Sequence, residues 1–354
     1  MKKVKKTKDH KYLYSFFFLV LLMVITFIIL FNNYELANIL EIIKKADLIF
    51  ILLGFLLFFN YLFFEALSIK TLLGKLDCKT SLLSSIKYSV IDFYFCAITP
   101  SALGGQPMSI YYMNKDKIPV RKSTVALLIN SSIYRTVLLI YGIVILIFFR
   151  QDICTNNNLF NILLIVGYII NTFIIVLFFL GLFSKKLIKA LINSIINILT
   201  KLKLIKRDRK VIDRYFEMNI NQYNLAANYV SKHSLTIIKV FIFNLIQRGS
   251  LFIIGYMIYR ALGFNTATII QLFAISVLIA IAVDTLPIPG GMGLSENLMI
   301  MLYSAIYAKE TAVSAMLLTR GINYYFAIAV TSILFIGVEL IKITKYKRKK
   351  VGQK

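Results

Sequence analysis

The sequence predicts an all-α polytopic integral membrane protein, with about six full spans plus two opposed re-entrant hairpins of broken helix. Three observations predict it. Of 354 residues, 59% are hydrophobic and 16% charged, against about 45–50% and about 25% in an ordinary soluble domain. Mean hydropathy is +0.77. The apolar residues fall in runs of membrane-crossing length flanked by basic clusters, 41 Lys+Arg standing against 16 Asp+Glu. A soluble enzyme of ordinary kind is excluded. The net charge of +25 would suit nucleic acid, but basic residues beside apolar runs are the mark of cytoplasmic loops facing anionic headgroups. Cys78, Cys96 and Cys154 lie at unrelated spacings, and His10 and His233 lie outside the apolar runs. No disulfide framework, metal site, cofactor or catalytic residue is expected.

The chain reads as one membrane domain, 1–354. A basic tail, 1–14, precedes the run Ser15–Phe31, which is read as a span and not a signal peptide because the flank FNNYELANIL offers no small-residue cleavage site. Further runs are Leu48–Ile69, Leu82–Ile98, Thr124–Phe149, Leu159–Phe183, Leu235–Leu262, Ala267–Leu286, Leu294–Tyr307 and Thr311–Ile341. Basic residues set their orientation. Segment 1–11 holds six Lys, 70–87 four, 185–214 ten Lys+Arg and 342–354 seven. All are expected in the cytoplasm, with Lys115, Lys117, Arg121 and Lys122. Both 70–87 and 115–122 then lie on the same side, so 82–114 must enter and return: a first hairpin. The same parity makes 267–308 a second hairpin, from the outside. Whether its halves span fully stays open. Both termini, including the tail 342–354, are cytoplasmic in this reading of a bacterial plasma-membrane protein. Segment 184–234 reads as cytoplasmic, beginning with an interfacial amphipathic helix whose apolar stripe runs opposite Lys185, Lys186 and Lys189.

Each hairpin carries a Gly/Pro break. The first is Asp92-FYFCAI-TPSALGGQP, with Thr99, Pro100, Ser101, Gly104, Gly105, Gln106 and Pro107 as candidate backbone residues. The second is Asp284-TLPIPGGMGLSE, with Pro287, Pro289, Gly290, Gly291, Gly293 and Ser295. Each pairs an acid with a Gly-Gly, and the two resemble elements of an inverted repeat, an arrangement that marks the midplane site of many transporters. Prolines remove donors, and backbone freed in this way must be buried in protein or line a wet cavity. Half-helix N-termini at the breaks would aim amides at an anionic group.

Arg135, Arg248 and Arg320 lie well inside apolar runs, where a charge costs at least about 2.5 kcal/mol. Glu65, Asp92, Asp284 and Glu296 are candidate partners. Glu65, about a turn from the cytoplasmic end of its run, has the alternative of snorkelling to the interface. Arginine forks suit a phosphate, and carboxylates suit an ammonium. Together the seven residues form a candidate lipid-headgroup site. Asn244, Gln247 and Asn323 add hydrogen bonds there or pack helices.

TPSALGGQP after an intramembrane Asp, then PIPGGMGLSE about 190 residues later with Arg248 between, resembles the lysylphosphatidylglycerol synthase transmembrane-domain family, flippase-like proteins related to the N-terminal half of the multiple peptide resistance factor. The resemblance covers nearly the whole chain. It implies movement of a phospholipid between leaflets, lysylphosphatidylglycerol or a related anionic or aminoacylated lipid, contributing to surface charge and resistance to cationic peptides. The family's soluble lysyltransferase domain is expected to be absent, because the chain stops thirteen residues after Ile341. Alternatives are phosphatidylglycerol lysyltransferase activity and small-solute transport. The expected partners are membrane phospholipids. Nucleic acid is not expected unless a separate tRNA-dependent synthase works alongside, and homo-oligomerisation stays open.

Overall fold

The computed structural model describes residues 36–148, 157–183, 229 and 232–351. The first predicted span, the basic N-terminal tail and nearly all of segment 184–234 lie outside the described residues. Within them the chain is helical: α1 (Leu36–Lys44), α2 (Leu48–Lys75), α3 (Leu82–Ile98), α4 (Gly105–Lys115), α5 (Val120–Phe148), α6 (Asn158–Phe183), α7 (Ser234–Ala261), α8 (Ile269–Val283), α9 (Leu294–Tyr303), α10 (Lys309–Arg320) and α11 (Ala327–Val351). A π turn, Gly321–Phe326, joins α10 to α11. Among the described residues five helical stretches are long and apolar enough to cross a membrane: α2, α5, α6, α7 and the run from α10 into α11. The 28 residues of α2 reach about 42 Å, more than the roughly 30 Å of bilayer hydrocarbon. Leu52, Leu56, Ile147, Ile165 and Ile333 are exposed on these helices, a cost in water that lipid removes. The protein is an all-α multi-pass membrane protein.

Helix ends are set by local chemistry. Asp47 caps α2, its Oδ1 accepting from the Ile49 amide at 2.8 Å. Ser81 caps α3 through the Ser84 amide at 3.1 Å. Thr268 and Gln271 form a capping box at α8, satisfying amides that have no partner within the helix. α1 was not foreseen; it is a nine-residue amphipathic helix held to the start of α10 by Asn38 Nδ2 donating to Glu310 Oε1 at 3.4 Å.

At the centre α2 and α7 run antiparallel. Asn60 Nδ2 donates to Ser250 Oγ at 2.8 Å, Asn244 Nδ2 to Ser68 Oγ at 3.3 Å, and the Asp47 amide to the Ala261 carbonyl at 2.7 Å. This pair gives the bundle two ends. α3 leaves from the Lys75 end and α4 returns to it, where Lys87 pairs with Asp116 and Tyr88 donates to Asp116 Oδ2 at 2.7 Å. α8 leaves from the Ala261 end and α9 returns to it, placing the Tyr307 ring 5.6 Å from that of Tyr259. The hairpins therefore enter from opposite ends. Their breaks meet: Ser101 Oγ donates to the Leu286 carbonyl at 3.4 Å, and Tyr324 OH to the Ala97 carbonyl at 3.1 Å. α8 stops at the meeting point, so the second hairpin does not pass the first.

The two breaks follow one backbone path. After an extended residue, Thr99 or Ile288, a proline opens a single tight turn. The next two residues are left-handed: Ser101 (φ 52°) and Ala102 (φ 53°) in one, Gly290 (φ 55°) and Gly291 (φ 64°) in the other. The equivalence thus runs from Pro100 to Pro289. Gly104-Gly105 is not the counterpart of Gly290-Gly291, as the sequence suggested; Ser101-Ala102 is. The acids do not match either. Asp92 sits inside α3, whereas Asp284 is the C-cap of α8.

Candidate functional site

A cavity of about 340 Å³ lies where the two breaks meet. It gathers Glu65 from α2, Asp92, Ser101 and Gln106 from the first hairpin, Arg135 from α5, Arg248 from α7, Asp284, Gly290, Gly291 and Ser295 from the second hairpin, and Arg320 from α10. Thr99, Pro100, Gly104, Gly105, Pro107, Pro287, Pro289, Gly293 and Glu296 do not line it; they shape the breaks behind it. Gly290 is such a shaping residue as well as a lining one: a Cβ there would stand 2.0 Å from Tyr324 Cε2.

The N-cap amides of the two half-helices are bonded within the breaks. The Gly104 amide donates to Thr99 Oγ1 at 2.9 Å. The Gly293 amide donates to Glu296 Oε2 at 2.7 Å, and Ser295 Oγ to the same oxygen at 3.0 Å. The break residues thus cap their own helices. Of the two readings of Glu65, the inward one holds. The residue is 4% exposed, ten residues before the end of α2, and accepts from Ser89 Oγ at 2.8 Å. It faces the bundle and does not snorkel.

The arginines divide into three kinds. Arg320 is committed: its Nε donates to Glu296 Oε1 at 2.8 Å, its Nη2 to the Gly290 carbonyl at 3.0 Å, and its guanidinium lies 4.3 Å from the Tyr324 ring centre. Tyr325 OH donates to Glu296 Oε1 at 3.3 Å. This cluster fixes the second break. Arg248 is half committed. Its Nη2 reaches Asp284 Oδ2 at 3.2 Å and its guanidinium covers the Tyr134 ring at 3.6 Å, while its buried Nε has no partner. Arg135 donates from Nη1 to Asn171 Oδ1 at 3.1 Å, and among the described residues it has no carboxylate partner.

The acids divide in the same way. Asp284 and Glu296 have arginines; Glu65 and Asp92 have no cation partner among the described residues. These two carboxyls line the same cavity, and Ser89, which bonds Glu65, stands three residues before Asp92 on α3. Asp92 Oδ2 accepts weakly from Cys96 Sγ at 3.7 Å, and its buried Oδ1 has no partner. The cavity therefore has an anion-receptive wall at Arg135 and Arg248 and a cation-receptive wall at Glu65 and Asp92.

Residue patterns missed several lining groups. Tyr61 and Tyr134 line the cavity, as do Asn130 and Ser131, the latter accepting from Gln106 Nε2 at 2.7 Å. Asn171 holds Arg135 from α6; a lone buried amide in that apolar span was the available signal. Gln247 and Asn323 line the cavity. Asn244 instead packs helices, bonding Asn130 Oδ1 at 3.1 Å as well as Ser68.

The family described as Lysylphosphatidylglycerol synthase TM region matches residues 13–331. The chain belongs to this family. It is also similar to a UPF0104 membrane protein of Archaeoglobus fulgidus, 24% identical over 273 residues that cover 75% of this chain and 79% of the relative. The match runs across both hairpins and all the arginines of the cavity, so the whole candidate site lies within the family region.

Proposed function

We propose that this protein translocates a phospholipid headgroup between leaflets of a bacterial plasma membrane, the lipid being lysylphosphatidylglycerol or a related anionic or aminoacylated species. The observation that carries this reading is the unequal pairing of charges in one intramembrane cavity. Arg135 and Arg248, which both line the cavity, suit a phosphate, because guanidinium donors match its oxygens in charge and spacing. Glu65 and Asp92 suit a headgroup ammonium. A ligand carrying both groups offsets on both walls the cost of holding unpaired charge at membrane depth, several kcal/mol per ion. The acyl chains stay in lipid while the headgroup crosses between the tips, and no covalent step is needed. Both termini lie in the cytoplasm in this reading, the basic tails resting against anionic headgroups.

Proteoliposomes test it. Headgroup-labelled lysylphosphatidylglycerol or phosphatidylglycerol is reconstituted with the protein and quenched from outside. Protein-dependent loss of inner-leaflet signal, reduced in Arg135→Gln and Arg248→Gln, is expected. Equal loss in folded variants refutes the assigned roles. The family's name supports a second reading, the membrane part of an aminoacyl-lipid synthase; it predicts that cellular lysyl-lipid content, not its sidedness, changes when the gene is removed.

A further inference from the structure

Glu65, buried, and Asp92, half-buried, line one cavity without a cation partner among the described residues, and two such carboxyls are unstable as a pair of anions. Each costs several kcal/mol to bury charged, and like charge adds to the cost. Both are acceptors, so they cannot bond one another unless one carries a hydrogen. The orphaned Asp92 Oδ1 lacks the donor that a proton on the pair would provide.

A third acceptor points the same way. Gln247 is 1% exposed, lines the same cavity, and its Oε1 has no partner. The bonds Asn60 to Ser250 and Ser68 to Asn244 fix the register of α2 against α7, and in that register Gln247 lies at the level of Glu65. The other titratable or charged groups acting on the pair are Tyr61 on α2, Cys96 on α3 and Tyr134 on α5, with Arg248 on α7 stacked behind the Tyr134 ring. The guanidinium pairs with Asp284 and covers Tyr134, and it makes no ion pair with either carboxyl of the pair. From α4, Gly105 presses close enough that a Cβ would stand 2.8 Å from Asp92 Oδ1; it brings no charge.

We propose that Glu65 and Asp92, with Gln247, form a proton-exchange site that couples lipid translocation to a proton moving the opposite way. One proton sits on the pair when no ammonium is bound. An arriving headgroup ammonium takes over the two carboxyls and the Gln247 oxygen as acceptors, and the proton leaves to water on the side then open. On the other side the ammonium departs and a proton from water replaces it. Charge balances at each exchange. The inference rests on the headgroup reading above and adds its energy source.

The experiment uses the full chain in proteoliposomes with an imposed pH difference and an entrapped pH dye, with lysylphosphatidylglycerol in one arm and phosphatidylglycerol, which has no amine, in the other. One-for-one exchange across one pH unit carries a driving force of about 1.4 kcal/mol, so lysylphosphatidylglycerol is expected to collect about tenfold in the leaflet on the acidic side. Protons should flow against it, and phosphatidylglycerol should evoke no such flow. Glu65→Gln should abolish the asymmetry. Translocation that proceeds with leaflet ratios indifferent to the gradient overturns the proposal while leaving the headgroup reading intact. If no lipid moves at all, the headgroup reading fails, and the proton site is decided without lipid. A carboxylic-acid carbonyl band in the infrared difference spectrum between acid and alkaline buffer, lost in Glu65→Gln or Asp92→Asn, upholds it; absence of the band in the wild type overturns it.

Discussion

Replacing Glu296 with Gln separates an arginine that builds the site from those that serve it. Glu296 is 1% exposed and accepts four bonds, from the Gly293 amide, Ser295 Oγ, Arg320 Nε and Tyr325 OH. Gln keeps the shape but loses the charge, and its amide end meets donors where an acceptor stood. Arg320 is left as a buried charge without its counter-ion, and removing one partner of such a pair costs about 3–5 kcal/mol. A value near 4 kcal/mol is a factor of about 10³ in the unfolding equilibrium. The chain has no Trp, so loss of helix is followed by circular dichroism during denaturation in micelles. Arg320→Met in the Glu296→Gln background removes the stranded charge. The double variant should be more stable than the sum of the single losses by about 1–3 kcal/mol. A single variant within about 0.5 kcal/mol of wild type, or a double variant that is simply additive, refutes the assignment of this pair to structure.

Three further outcomes are expected. Arg135→Gln, which removes a bond to Asn171 but no ion pair, should change stability by no more than about 1.5 kcal/mol in the same denaturation, while headgroup translocation falls. Gly290→Ala should destabilise by about 2–4 kcal/mol, because its Cβ meets the Tyr324 ring and the residue must stay left-handed; lowered thermal stability in micelles checks it. Ala102→Gly should raise stability or leave it unchanged, since glycine removes about 1–2 kcal/mol of left-handed strain against its own entropic cost of about 0.5–1 kcal/mol; a loss exceeding that cost contradicts the strained turn.

Much of this fold was legible because lipid imposes simple rules. Apolar length marked the five crossing stretches found among the described residues, and the positions of basic residues gave the parity that demanded two returns. Proline marked both breaks correctly. Their equivalence was misread because glycine pairs draw the eye, whereas Ser101 and Ala102 take the same left-handed path without a glycine to announce it. The intramembrane charges were individually conspicuous, but their pairing was not, since Glu296 meets Arg320 only once α9 and α10 fold together. Arg135 finds an amide on another helix, Asn171, and no sequence spacing predicts that. The nine residues of α1 were passed over because a short amphipathic helix between two acids looks like a loop.

The Tyr324 ring lies against Gly290 in one hairpin and its hydroxyl bonds Ala97 in the other. One phenol on the π turn therefore joins the two halves in mechanical series. Displacing either tip loads the same side chain, so a change at Tyr324 is felt by both hairpins at once, and the linkage is a side chain in the cavity wall, far from the loops that bound the bundle.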